Sequence, residues 1–403
     1  MSVDAFTMPL STEDLTLGWL QAVFSDPSIS GFEVTDARLF ETTSKLYVTL
    51  SYKDEKEASA AGKPQKVLLK GGFSPVMFAT PGYKPILIRA YTREVDMFSK
   101  FVPTLPDDAV LQLPKVYWAG ANDDNAILAM EDLAAGGFTF GDPTRTYSLD
   151  AVHSGVEQLA TLHAKTWGWS TKEGEHESPK AAELAWLEPN IYDVTMGGLL
   201  GMWDELILGA DRPPLPAILK DSRERTSRAL STYFASRNPR FRCLVHGDPH
   251  SGNTYLKGDD VRFLDWQIAH VGTAFHDLAY FLVSMLTVEE RRTHELAVLD
   301  RYLEALARHG GPTLSREDPE VMTEYRKAIL TGLGWVLTPH SMQAKARVAA
   351  MVERYAAAIV DHKTIELLTE IADAADKKTA EKTATDVKGN VAVQVNKVDG
   401  ETA

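Results

Sequence analysis

The chain reads as an α+β protein in two domains, the first built on short strands and the second mostly helical. Three observations predict this. Apolar residues alternate in several short runs before residue 133. Helical periodicity dominates after it. Between the two, Gly136 and Gly137 follow a strand-like run and supply a hinge. The boundary is therefore drawn at Ala134, giving domains 1–133 and 134–376. From Lys377 to Ala403 the chain has no aromatics and is rich in Thr, Lys, Asp and Gly, which predicts a disordered tail.

The elements follow in order. Ser11 to Phe24 predicts a helix capped by Ser11 or Thr12, with Leu15, Trp19 and Val23 on one face. Phe32–Phe40, Lys45–Tyr52 and Lys66–Gly72 predict strands, the third ending in Lys70. Arg89–Val102 is the main helix of the first domain, with Tyr91, Val95 and Phe98 as its apolar stripe. Glu94 shares the inward side, an odd place for a charge without a partner, and Lys70 is its natural partner. Taken alone, the two read rather as an edge lysine and a boundary glutamate, both solvated; the Leu244–Thr254 segment downstream tips them to a pair. Pro114–Gly120 and Ala126–Leu133 flank a polar turn with hairpin chemistry. Leu149–Trp167 begins the helical domain, with His163 on its apolar face as a hydrogen-bonded core residue. Helical patterns then fill Ala181–Leu187, Leu199–Leu208, Asp221–Ser236, Val288–Arg308, Pro319–Leu337 and Met342–Ala375. Val391–Val395 is a short candidate strand in the tail.

Composition narrows the function classes. The 403 residues are 44% hydrophobic and 24% charged, ordinary for a water-soluble globular protein. A formal charge of −14 argues against binding nucleic-acid backbones or anionic membranes. The single cysteine, Cys243, sits in an apolar run and reads as a buried small hydrophobe. The N-terminus is acidic and unlike a secretory signal. The longest apolar stretch, Leu278–Val288, is shorter than the ~20 residues that span a bilayer. The expected compartment is cytoplasmic, and the expected assembly a monomer or homodimer.

The most informative segment is LVHGDPHSGNT, Leu244 to Thr254, followed by FLDWQ, Phe263 to Gln267. Asp248 and Asn253 stand in the D-x-x-x-x-N spacing of a kinase catalytic loop. Asp265 follows a polar turn and an apolar run, the place of a metal-binding Asp after a hairpin strand. The residue types suit phosphoryl transfer, which is mostly positioning and charge neutralisation. A fixed carboxylate, Asp248, accepts the proton of a hydroxyl nucleophile. Asn253 and Asp265 offer oxygen ligands to Mg²⁺. His246 is expected to orient the loop as a neutral imidazole. A different reading makes His246, Asp248 and His250, with Asp265, His276 and Asp277, the ligands of a metal-dependent hydrolase, although Pro249 and Gly252 argue for a loop rather than the required strand. A third reading is a catalytically silent nucleotide- or ligand-binding protein.

Taken together, H-G-D-P-H-S-G-N, L-D-W-Q, the order Lys70, Glu94, hinge, loop, metal Asp, and the later FHDLAYFL resemble the aminoglycoside/choline-kinase-like phosphotransferases, in their ecdysteroid-kinase-like branch. The resemblance covers about residues 12–376. It implies a bilobal protein-kinase-like fold, with a small antiparallel-sheet lobe and a large helical lobe. ATP would bind between them with Mg²⁺, and a hydroxyl on a small-molecule alcohol would be phosphorylated. Lys70 and Glu94 would then hold the phosphates, while the backbone of Met130, Glu131 and Leu133 would meet the adenine edge. Asp277 would brace the catalytic loop. The chain departs from the glycine-rich phosphate loop of protein kinases: its turn, Glu41 to Ser44, has no glycine. The acceptor stays open. Trp186, Tyr192, Trp203 and Trp335 read equally as core residues or as a stacking surface, and the acceptor is either a cation, such as an amino-sugar or choline, or an apolar alcohol such as a sterol.

Overall fold

A computed structural model describes residues 7–39, 43–73, 83–105, 111–175 and 179–398. Its N-terminal lobe is a five-stranded antiparallel sheet of Ile29–Leu39 (β1), Ser44–Tyr52 (β2), Lys66–Gly71 (β3), Val116–Ala121 (β4) and Ala126–Glu131 (β5), in the order β1-β2-β3-β5-β4. A short helix, Leu17–Val23 (α1), precedes the sheet, and another, Glu55–Ala60 (α2), interrupts the polar loop after β2. The principal helix is Tyr83–Asp96 (α3), continued by a π-helical turn at Met97–Phe101.

The period-2 alternation of the strands decides what each face meets. Leu46, Val48, Leu50, Val67, Leu69, Ile127 and Ala129 pack with Trp19 and Leu20 of α1 in one core. Trp19 meets Trp118 edge to face, with ring centroids 5.6 Å apart. The other face looks toward α3. Tyr91, Val95 and Phe98, together with Leu128 of β5, join the large core of the helical lobe. Lys70 follows Leu69 on β3, so its side chain emerges on this second face.

The C-terminal lobe gathers around Leu149–Lys165 (α4) and the fully buried Ala274–Met285 (α7). The two-residue strand Thr139–Phe140 (β6) precedes α4, and the helices Ile191–Gly201 (α5) and Arg223–Ala235 (α6) lie between α4 and α7 in sequence. The catalytic segment is made of Arg242–Val245 (β7), Thr254–Lys257 (β8), Asp260–Phe263 (β9) and His270–Thr273 (β10). β7 pairs with β10, and β8 pairs with β6 and β9, all antiparallel. Val288–Arg308 (α8), Pro319–Ala328 (α9), Lys345–Asp361 (α10) and Thr364–Val398 (α11) complete the lobe. Helices α4 and α7 approach closely at Gly155, where an added Cβ would stand 2.1 Å from the Phe281 ring.

Several elements depart from the sequence reading, each for a local reason. The cap of α1 is Thr16, whose hydroxyl accepts from Trp19 N; Ser11 instead donates to Asp14. Ala181–Leu187 forms a 3-10 helix. The segment read as one helix from Pro319 to Leu337 loosens into a 3-10 turn at Ile329–Gly332, where Gly332 lies against the Tyr355 ring. That read from Met342 to Ala375 breaks at Lys363, which has φ of +49°. The backbone of α11 runs past Lys377, where composition suggested that order ends, and includes Val391–Val395. The apolar stretch near Leu278 lies mostly in α7, a core helix, and no described helix is long and apolar enough to cross a membrane.

The α4–α7 contact generates a test. Gly155→Val forces a branched side chain into the Phe281 ring and should lower stability by about 1–3 kcal/mol. Urea unfolding would report it, and an unchanged midpoint would show that the two helices separate freely.

Candidate active site

The site is assembled from α3, β3 and the segment between β7 and β10. Lys70 Nζ donates to Glu94 Oε1 at 2.8 Å and to Asp265 Oδ1 at 3.0 Å. Trp266 N donates to the same Glu94 oxygen at 3.2 Å. Lys70 and Glu94 are buried. Burial opposes the charge on Lys70, but Asp265 and Glu94 outweigh it and its pKa rises. Burial likewise opposes the charge on Asp265, and Lys70 with Lys45 outweighs it, so its pKa falls. Asp265 adopts the left-handed region, φ +66°, which Asp tolerates better than most residues and which costs of order 1–3 kcal/mol for a non-glycine. Its contact with Lys70 holds the carboxylate in the resulting direction.

The loop from His246 to Asn253 is held from behind by Asp277. Its carboxylate accepts from His246 N at 2.6 Å, from Gly247 N at 2.9 Å and from His163 at 3.1 Å. Burial works to raise the Asp277 pKa, but the His163 bond and the neighbouring imidazoles win and bring it to about 2. His163, the core histidine of α4, also bonds the Tyr302 hydroxyl at 2.8 Å. Gly247 has φ of +89°, and a Cβ there would meet Ile268 O at 2.6 Å, so the tight turn before Asp248 requires glycine.

His246 accepts from Asp248 N on Nδ1 at 3.2 Å, which leaves Nε2–H to donate to Leu264 O at 2.8 Å. Burial lowers its pKa, so it is a neutral strut across the loop. Asn253 Nδ2 donates to Asp248 O at 3.0 Å and Oδ2 at 3.1 Å. The Asn253 amide oxygen is thereby directed away from those bonds. Burial above all, with the charge of Asp265 adding, pushes the Asp248 pKa up to about 8, against bonds from Tyr280 and Asn253.

The remaining residues fall around this centre. Met130 pairs with Leu68 across β3–β5. Glu131 N donates to Lys115 O, while its carboxylate accepts from Lys115 N at 2.8 Å, so this side chain ties β5 to β4. Leu133 O accepts from Phe138 N, and its own N–H takes part in none of these bonds. In the glycine-free turn, Glu41 and Thr42 lie outside the described residues; Thr43 is buried with an unpartnered hydroxyl, and Ser44 begins β2. Tyr192, Trp203 and Trp335 are buried and Trp186 half-buried; Trp335 meets the His250 ring edge-on at 4.9 Å.

The hydrolase reading is corrected by the imidazoles. Both His246 nitrogens are engaged within the loop, and His250 Nδ1 accepts from Gly252 N at 2.9 Å. His276 spans Gly247 O and the Tyr233 hydroxyl. Among the described residues, no group of three or more His, Cys, Asp or Glu side chains is disposed to hold a metal. Sequence reasoning missed Lys45 and Arg93. Lys45 stands opposite Lys70 in the β2–β3 register and adds a second cation beside Asp265; burial and then Lys70 lower its pKa. The strand pairing was its only signal.

The sequence model of the ecdysteroid kinase-like family matches residues 87–311. The chain belongs to the ecdysteroid kinase-like family. No curated protein matches it. Among solved structures, this family member is similar to an aminoglycoside-3'-phosphotransferase of type VIII at 14% identity and TM-score 0.40, over 83% of this chain and 97% of that one. It is similar to the choline kinase LicA from Streptococcus pneumoniae at 13% identity and TM-score 0.40, over 82% and 96%. It is also similar to the amicoumacin kinase hAmiN, solved with AMP-PNP, Ca²⁺ and Ami, at 11% identity and TM-score 0.43, over 89% and 96%.

The Asp248 carboxyl gives this ecdysteroid kinase-like protein a pH signature. Its folded pKa, about 8, lies above the ordinary 3.8, so the folded state keeps a proton that the unfolded state releases. Stability should therefore fall as pH rises from 4 to 8, and Asp248→Asn should remove that fall. Asp277 acts below this window, because its stabilisation is present above 3.8 and lost as pH drops toward 2. Melting curves without divalent cations would check it; parallel pH profiles for the two proteins would refute the raised pKa.

Proposed function

We propose that this protein is an ATP- and Mg²⁺-dependent kinase that transfers the γ-phosphate to a hydroxyl of a small molecule. The observation that carries the reading is the Lys70 ammonium shared between Glu94 and Asp265. It faces a loop on which Asp248 and Asn253 are bonded to each other. Lys70, with Lys45 nearby, presents positive charge to phosphates. Asp248 accepts the proton of the acceptor hydroxyl. His246, Gly247 and Asp277 keep that carboxylate in place.

The donor set suits Mg²⁺. Asp265 offers a carboxylate, and Asn253, its nitrogen committed to Asp248, offers an amide oxygen. Both are hard oxygen ligands of the kind that Mg²⁺ takes alongside phosphates and water. When bound, the cation would neutralise charge on the transferring phosphoryl group and favour the ionised form of Asp248. We place the lobe boundary at Ala134, with the Leu133 N–H as the donor to the adenine edge.

For the acceptor, the neighbours of the base favour an alcohol with an apolar body. His250 approaches Asp248 at 3.6 Å, and its ring packs edge-on against Trp335 and Tyr280. Burial lowers the His250 pKa to about 3, so this side of the base is neutral and aromatic.

Two variants test the assignment. Asp248→Ala should cut kcat roughly 10²–10⁴-fold while Mg·AMP-PNP affinity is retained. Asp265→Ala should weaken Mg·AMP-PNP binding, measured by calorimetry. A panel of sterols, other apolar alcohols, amino-sugars and choline would identify the acceptor class. Unchanged turnover in the first variant would remove Asp248 as base. Nucleotide binding without transfer across the panel would favour a silent ligand-binding protein.

A further inference from the structure

We infer that Arg93 is a positioning residue that locks α3, and with it Glu94, against the metal-binding segment. Arg93 neighbours Glu94 on the helix but points elsewhere. It is 1% exposed. Its Nη1 donates to Ala269 O at 2.5 Å and its Nη2 to Pro189 O at 3.1 Å. Among the described residues, no carboxylate forms an ion pair with it. A buried guanidinium held by carbonyls alone is an expensive arrangement, since burying a charge costs unless hydrogen bonds compensate. Its planar fork presents donors in fixed directions to two separate chain segments of the other lobe.

The placement of these carbonyls carries the inference. Ala269 lies four residues after Asp265. Helix α3 is thus bonded to both ends of one short turn: Glu94 accepts from Trp266 N, and Arg93 donates to Ala269 O. Pro189, just after the 3-10 helix, supplies a third anchor in the helical lobe. Ile88, Thr92 and Asp96 of α3 border a cavity of about 590 Å³, with Ala121 and Trp186 among its other walls. Arg93 is itself a wall of this cavity, and its two bonds tie this side of the helix to the helical lobe. The helix is held in the arrangement that pairs Glu94 with Lys70 without a separate activating element.

The catalytic consequence rests on the kinase reading, but the tether can be tested without it. Hydrogen exchange of the α3 amides would be compared in the wild type, Arg93→Met and Arg93→Lys. Arg93→Met keeps an unbranched, apolar side chain and removes both donors. The expected result is exchange roughly tenfold faster, confined to α3 and residues 266–270, with Mg·AMP-PNP affinity reduced by a similar factor. Arg93→Lys, which keeps the charge but lacks the planar, spread donors of the guanidinium, should lie between. Wild-type exchange in α3, or an equal rise throughout the core, overturns the inference. Should Arg93→Met fail to fold, Arg93→Lys alone decides, and wild-type exchange in it is equally fatal. If the wild type itself fails to bind Mg·AMP-PNP, the kinase reading falls while the exchange data still decide the tether.

Discussion

A single buried ammonium organises this protein. Lys70 leaves the sheet on the face turned toward the helical lobe and meets a carboxylate from each side. Neither carboxylate is local to it: Glu94 is 24 residues away and Asp265 is 195. Removing one partner of a buried ion pair typically costs about 3–5 kcal/mol, because the remaining charge is left in a poor solvent. The sheet, α3 and the segment around Asp265 are therefore obliged to meet at one point. The left-handed backbone of Asp265 and the inward placement of Glu94 both follow from that meeting.

Around this point the protein uses neutral and anionic groups in separate roles. Asp277 stays ionised because backbone N–H groups and an imidazole surround it. Asp248, on the loop that Asp277 braces, is half-buried near a second anion and holds its proton far more tightly. The two carboxylates, one on this loop and one on α7 behind it, are thus driven in opposite directions by their surroundings. The histidines between them are kept neutral by burial and spend their nitrogens on loop carbonyls and amides.

Much of the fold was legible because its signals are short in range. β2, β3, β5 and the long helices α4 and α8 follow from periodicity. The loop from His246 to Asn253 follows from residue types whose spacing matches a known chemistry. The failures were also physical. Thr16 outcompetes Ser11 as a cap because Asp14 captures Ser11. The broken helices near Gly332 and Lys363 turn where neighbouring elements crowd them or where one residue leaves the helical region, and neither is visible in a hydrophobic pattern. Arg93 was overlooked because an arginine beside a functional glutamate looks like an ordinary surface charge until both of its carbonyl partners are seen.

By itself the sequence determined the class of elements and singled out the loop from His246 to Asn253 as the candidate site, since these depend on side-chain chemistry and on neighbours within a few residues. The tertiary structure alone decided which groups share a proton or a charge. It set Lys45 beside Lys70, raised Asp248, closed both nitrogens of His246 to a metal and joined Arg93 to Ala269. Such outcomes depend on burial and on distances between segments up to 195 residues apart. No local pattern encodes them.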